Sequence, residues 1–64
     1  MKDTEYIIDV QSYDYKEQKF YQFFVNEYLV HETTDTKLFE DLYSSDNERA
    51  GSAVKTLIYM FNEN

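Results

Sequence analysis

The chain has 64 residues, no cysteine, no proline, a single glycine, Gly51, and a net charge of −7. These features exclude a disulfide-stapled scaffold, a thiolate metal site and a glycine-rich phosphate loop, and so acidic a chain is repelled by nucleic acid and anionic membrane surfaces. Basic partners are expected, and a single small domain over residues 1–64 has room for only a marginal core unless it packs densely or oligomerises.

Aromatic residues, seven Tyr and five Phe, make up 19% of the chain. Disordered acidic segments are poor in such rings, so the chain is expected to fold despite a mean hydropathy of −0.73. No apolar run approaches the ~18 residues of a membrane span, and the opening residues lack a signal-peptide pattern, so a cytoplasmic, membrane-independent protein is expected.

The first element lies in "TEYIIDVQSYDY", where Tyr6, Ile8 and Val10 alternate with Glu5, Ile7, Asp9 and Gln11, the period of a half-buried strand. The polar "YKEQ" breaks this pattern, and Lys16, Glu17 and Lys19 read as a solvated turn. The next run, "KFYQFFVNEYLVHE", places Tyr21, Phe23, Val25 and Leu29 on one face and Phe20, Phe24 and Tyr28 on the other. A strand apolar on both sides has to be covered twice. A helix covers one face; for Phe20, Phe24 and Tyr28 the expected cover is a second copy of the chain, giving a homodimer. Tyr6, Tyr21 and Phe23 read as ordinary sheet packing.

Thr33, Thr34 and Asp35 can each cap a following turn, which predicts a short helix carrying "KLFEDLY". Leu38 and Leu42 stand one turn apart and point to the core; Phe39 and Tyr43 stand one turn apart on the neighbouring stripe. That second pair either packs on the sheet or across a dimer seam, or meets a partner. In the last third, Ser45 and Glu48 form a capping-box pattern, and Ala50, Ala53, Val54, Leu57, Ile58 and Phe61 recur at helical spacing. Against a helix stand the interior Gly51 and the β-prone run "VKTLIYMF", in which Val54, Thr56, Ile58 and Met60 alternate.

Charge is concentrated in residues 27–48, where Glu27, Glu32, Asp35, Glu40, Asp41, Asp46 and Glu48 face the single base Lys37. Such a patch either solvates a helix and its loops or meets a basic groove. Catalytic chemistry is thinly provided. The lone His31 reads as a surface or loop residue, and Glu40 and Asp41 are neighbours that diverge by ~100° on a helix instead of converging on a substrate. No calcium-loop pattern is present either. The expectation is a binding protein with no catalytic residue, metal or cofactor.

In "FEDLY" the chain resembles the small, acidic, dimeric uracil-DNA glycosylase inhibitors of Bacillus phages, whose helix carries F-E-x-L-Y; Phe39, Glu40, Leu42 and Tyr43 match it. Asp14 followed by Phe20 and Tyr21 stands where that family has an acidic turn and an aromatic pair. The resemblance implies a DNA mimic that takes part in host takeover by occupying the enzyme's DNA-binding groove. It makes Phe39 a hydrophobic trap and Glu40 and Tyr43 polar contacts, with Asp41, Glu27 and Gln22 as further candidates for partner binding. Gln22 stands where the family has Glu, and Glu27 takes that place only in another register. The family ends in a third strand. The expected fold is therefore α+β: a hairpin over about 4–13 and 18–30, a helix over about 35–43, and a C-terminal segment over about 53–61 as a third strand, alternatively a second helix. Other acidic binders fit the same composition: an inhibitor of a different nucleic-acid enzyme, such as an RNA polymerase or a CRISPR nuclease, or an interaction module that inhibits nothing.

Overall fold

The computed structural model describes residues 5–63, an α+β fold in the order β1 (Ile8–Tyr15), β2 (Gln18–Val25), β3 (Tyr28–Thr33), α1 (Lys37–Leu42) and α2 (Asn47–Glu63). The three strands form an antiparallel meander with β2 in the centre. Ile8 pairs with Val25, and the register runs unbroken to Tyr15 opposite Gln18.

The expected long strand over 18–30 is in fact two strands. The chain reverses at Asn26 and Glu27, whose φ values of 52° and 73° match the left-handed pair at Lys16 and Glu17, 51° and 67°. Two consecutive positive φ values define the tight hairpin turn whose twist suits the strands it joins. Neither turn contains glycine, so the usual Asn-Gly or Asp-Gly signal is missing. The Asn26 side-chain oxygen secures the second turn by accepting the Ile7 N–H at 2.9 Å, while the Asn26 backbone N–H donates to the Ile7 carbonyl at 2.8 Å.

This turn reassigns the faces of the sheet. Tyr28 pairs with Val25 and Leu29 with Phe24, and the ladder slips between Phe23 and Phe24 so that His31 faces Phe23. Val30 is the extra residue of this bulge and packs against the core. Tyr28 thus shares a side with Val25 and is separated from Phe20 and Phe24, with which uninterrupted alternation had grouped it.

The C-terminal segment is a helix and not the third strand that the resemblance implies; the third strand comes from residues 28–33. Helical spacing therefore outweighed β propensity. Ala53 and Leu57 are buried on the sheet, and a helix with one apolar stripe covers the inner face in a way that a further edge strand would not. Its N-terminus is capped by Asp46, which accepts the Glu48 N–H at 3.0 Å, rather than by the expected Ser45. Gly51 leaves open space where a Cβ would stand, so the helix tolerates it without needing it.

The core is small: Phe23, Val25 and Leu57 are fully buried, with Ile8, Val10, Leu38, Leu42 and Met60 among the residues packed around them. Both helices lie on this side. The opposite face of the sheet, with Tyr13, Phe20, Gln22, Phe24 and Leu29, carries no helix among the described residues.

Candidate functional site

Helix α1 is positioned by hydrogen bonds at its start. Thr33 Oγ1 accepts the Asp35 N–H at 3.0 Å, and Asp35 Oδ1 accepts the Lys37 N–H at 3.0 Å. The N-cap residue itself is Thr36, which makes no side-chain capping bond, so Asp35, one residue earlier, is the candidate whose side chain bonds to the first turn. Leu38 and Leu42 then pack against the core, as their one-turn spacing predicts.

The neighbouring stripe forms an aromatic ladder. Phe39 stacks on Tyr21 of β2, with ring centroids 4.8 Å apart and 28° between planes, and Tyr43 leans on Phe39 at 5.0 Å and 55°. Phe39 is half-buried and packs against the core, whereas Tyr43 is 65% exposed. The two alternatives for this pair are therefore divided between its members: the inner ring holds the helix to the sheet and the outer ring faces solvent.

The carboxylates on α1 are also unequal. Glu40 is exposed and accepts the Thr36 hydroxyl at 3.0 Å. Asp41 accepts two bonds from Arg49 of α2, at 3.0 and 2.7 Å, and a third from Lys37 at 3.2 Å. The Arg49 guanidinium, with Lys37 helping, holds the Asp41 carboxyl below the usual carboxylate value. Asp41 is thus engaged in joining the two helices. Arg49 lies one residue beyond the acidic stretch of 27–48, and folding brings it back into that stretch as a second base. An open polar groove of about 440 Å³ borders the site between His31 of β3, Lys37 and Asp41 of α1, and Ser52 and Thr56 of α2. His31 is half-buried there, its ring 5.9 Å from that of Phe23.

The other candidates lie elsewhere. Gln22 sits on the sheet face without helices, between Gln11 and Glu32, whereas Tyr21, the base of the ladder, is on the helical side. Glu27 lies in the turn after Val25, at the far end of β2 from Tyr21. Phe39, Glu40, Asp41 and Tyr43 therefore form one group that includes neither Gln22 nor Glu27.

Phe20 and Phe24 occupy the uncovered face together. Phe20 stacks on Tyr13 at 5.1 Å, and Tyr15 approaches it at 6.5 Å. The Tyr13 hydroxyl donates to Glu32 across the sheet, a bond that raises the phenol's pKa above its ordinary value. Tyr28 joins Phe61 of α2 instead, at 6.1 Å.

Sequence reasoning missed two features: the Asp41–Arg49 link and the Tyr28–Phe61 pair. Each joins residues from separate elements, and no spacing within a single element signals it. Among the described residues no group of three or more metal-ligating side chains occurs, and no helix is long and apolar enough to cross a membrane. No family model, curated protein or solved structure matches the chain.

Proposed function

We propose that the chain is an inhibitor of uracil-DNA glycosylase that acts as a DNA mimic, binding as a homodimer in the enzyme's basic DNA-binding groove. The observation that carries this reading is the ladder Tyr21–Phe39–Tyr43, which ends in an exposed phenol one turn from the exposed Glu40. An aromatic ring set among carboxylates supplies both parts of such an interaction. Carboxylates steer the chain toward a positive groove, and rings in contact with a partner provide the grip. The F-E-x-L-Y resemblance names the enzyme, and the net charge of −7 disfavours direct binding to nucleic acid.

The dimer belongs to the same proposal. An accessible surface of 5042 Å² exceeds the roughly 4,400 Å² expected of a compact monomer of this mass. Among the described residues the sheet face bearing Phe20 and Phe24 lacks a helix, and the charged strand residues on it are Asp9 and Glu32, the latter bonded by Tyr13. A second copy can therefore cover this face with little like-charge opposition.

The test is a titration of the purified chain into uracil excision from a labelled oligonucleotide. Excision should stop near stoichiometric protein, and Tyr43→Ala, which removes an exposed ring, should weaken inhibition at least about tenfold, in the range of an aromatic interface anchor. Unchanged excision at large molar excess would rule out this enzyme as the target. Capture of a different nucleic-acid enzyme from a bacterial lysate would then redirect the proposal to that enzyme.

A further inference from the structure

β1 is a terminal strand of the sheet, and among the described residues no strand pairs with its outer side. Ile7 shows which of its backbone groups are free. The Ile7 N–H donates to the Asn26 side chain at 2.9 Å and the Ile7 carbonyl accepts the Asn26 backbone N–H at 2.8 Å, so at odd-numbered positions the backbone is directed toward β2. Antiparallel pairing alternates, and the two-residue turn that closes Tyr15 on Gln18 keeps the same phase. Ile8, Val10, Ser12 and Asp14 therefore direct their N–H and C=O groups away from the sheet.

Unpaired edges are templates for another strand, and proteins commonly blunt them with proline, lysine or a bulge. The other edge, β3, carries the bulge at Val30. β1 carries none of these devices: its sequence IDVQSYDY has no Pro or Lys, and its register is unbroken.

The strand is also complementary to itself. About a twofold axis through Gln11, antiparallel pairing sets Ile8 opposite Asp14 of a second copy and Val10 opposite Ser12, so every outward-directed residue meets another. A slip of one residue would set outward-directed residues against inward-directed ones. On the side of the sheet without helices, the same register puts Ile7 opposite Tyr15, Asp9 opposite Tyr13 and Gln11 opposite its own copy. Ile7 is 67% exposed and Tyr15 57% exposed, and a β-branched residue opposite an aromatic one is a favourable cross-strand pair. No charged residue of β1 meets a like charge in this register, whereas an in-register parallel arrangement would set Asp9 against Asp9. β1 and its turn lie outside the acidic stretch of 27–48, so two copies meet here away from most of their net charge, and a basic peptide would be drawn to that stretch instead.

We propose that β1 pairs antiparallel with β1 of a second copy, with Gln11 on the twofold axis, joining the two sheets into one. The contact rests neither on the proposed target enzyme nor on the face that bears Phe20 and Phe24. It is a small interface, with an expected Kd on the order of 0.1–1 mM, and it fills above the micromolar range.

The test is amide hydrogen exchange followed by NMR on the Phe24→Lys chain, in which the face-to-face dimer is broken, at micromolar and at millimolar concentration. Exchange at Ile8, Val10, Ser12 and Asp14 should be about two- to fivefold slower at about 1 mM, in proportion to the paired fraction. The same amides are read in the wild-type chain, where face-to-face packing leaves them at an open edge, so the test does not depend on that variant folding. Ser12→Pro removes an outward N–H that the ladder with β2 does not use, and should abolish the effect while the other strand amides stay protected. Gln11→Cys in the Phe24→Lys chain, which has no other cysteine, should oxidise to a disulfide-linked dimer. Exchange at these amides that is independent of concentration, slowing that survives Ser12→Pro, or no disulfide at position 11 would each overturn the proposal.

Discussion

Glycine is absent from the two turns that favour it and present in a helix that does not. Asn26 and Glu27 hold positive φ values with full side chains, a conformation that costs a non-glycine residue roughly 1 kcal/mol. Glu27→Gly relieves that strain and creates the Asn-Gly pair favoured by such turns. Gly51→Ala removes a flexible residue from the interior of α2, where nothing lies within 4 Å of the added carbon. Each substitution should stabilise the fold by about 0.5–1 kcal/mol. For a domain of this size, thermal melts should show an upward shift of about 2–8 °C per substitution.

The same residues explain what the sequence left hidden. The first turn was legible because the polar "YKEQ" separates two alternating runs. The second was not, because "VNEYLV" keeps its apolar residues close together and contains no glycine. Missing that turn placed Tyr28 beside Phe20 and Phe24. In the fold it lies across from Val25 and next to Phe61, and a two-residue turn together with the Val30 bulge resets the alternation.

At the scale of elements, α1 is only six residues long and has no fully buried side chain. Isolated helices of that length are unstable in water, so tertiary contacts must hold it. The Leu38–Leu42 pair and the Phe39 stack supply the apolar part, and Asp41 supplies the polar part through Arg49. The Asp41 carboxyl has a lowered pKa in the fold, so its contribution is fully present above the unfolded value near 3.9 and is lost as pH falls through the folded value. Urea midpoints of the wild-type chain should therefore decline below about pH 4. Asp41→Asn should lower the midpoint at neutral pH and flatten the acid decline; an equally steep decline in the variant would assign it to other carboxylates.

The C-terminal element shows how two patterns in one segment are resolved. Both the 3.6-residue stripe and the alternation of Val54, Thr56, Ile58 and Met60 were legible, and the sheet selected between them. With three strands already supplied by residues 8–33, the inner face needed a cover, and the stripe through Ala53 and Leu57 provides it. Within the site, the grouping on α1 was legible because a short helix keeps its own residues together. The positions of Gln22 and Glu27 depended on strand register, which one missed turn was enough to alter.

At the scale of the whole molecule, the chain forms one covered layer. Its radius of gyration of 12.5 Å exceeds the roughly 11 Å expected of a compact chain this long, in keeping with helices on only one face of the sheet. Under the proposed dimer, the face with Phe20 and Phe24 closes against its copy. Sedimentation of the wild-type chain at micromolar concentration should give a dimer, and Phe24→Lys should give a folded monomer. A monomeric wild-type chain would contradict the proposed dimer.

In the proposed function the acidic, ring-bearing side of the molecule occupies a DNA-binding groove. The most direct test is competition: uracil-DNA glycosylase is immobilised, the chain is bound to it, and duplex DNA is added over a range of concentrations. Mimicry predicts mutually exclusive binding, with the apparent affinity for the chain falling in proportion to the DNA present. Simultaneous binding of chain and duplex, or no binding of the chain at all, would contradict it.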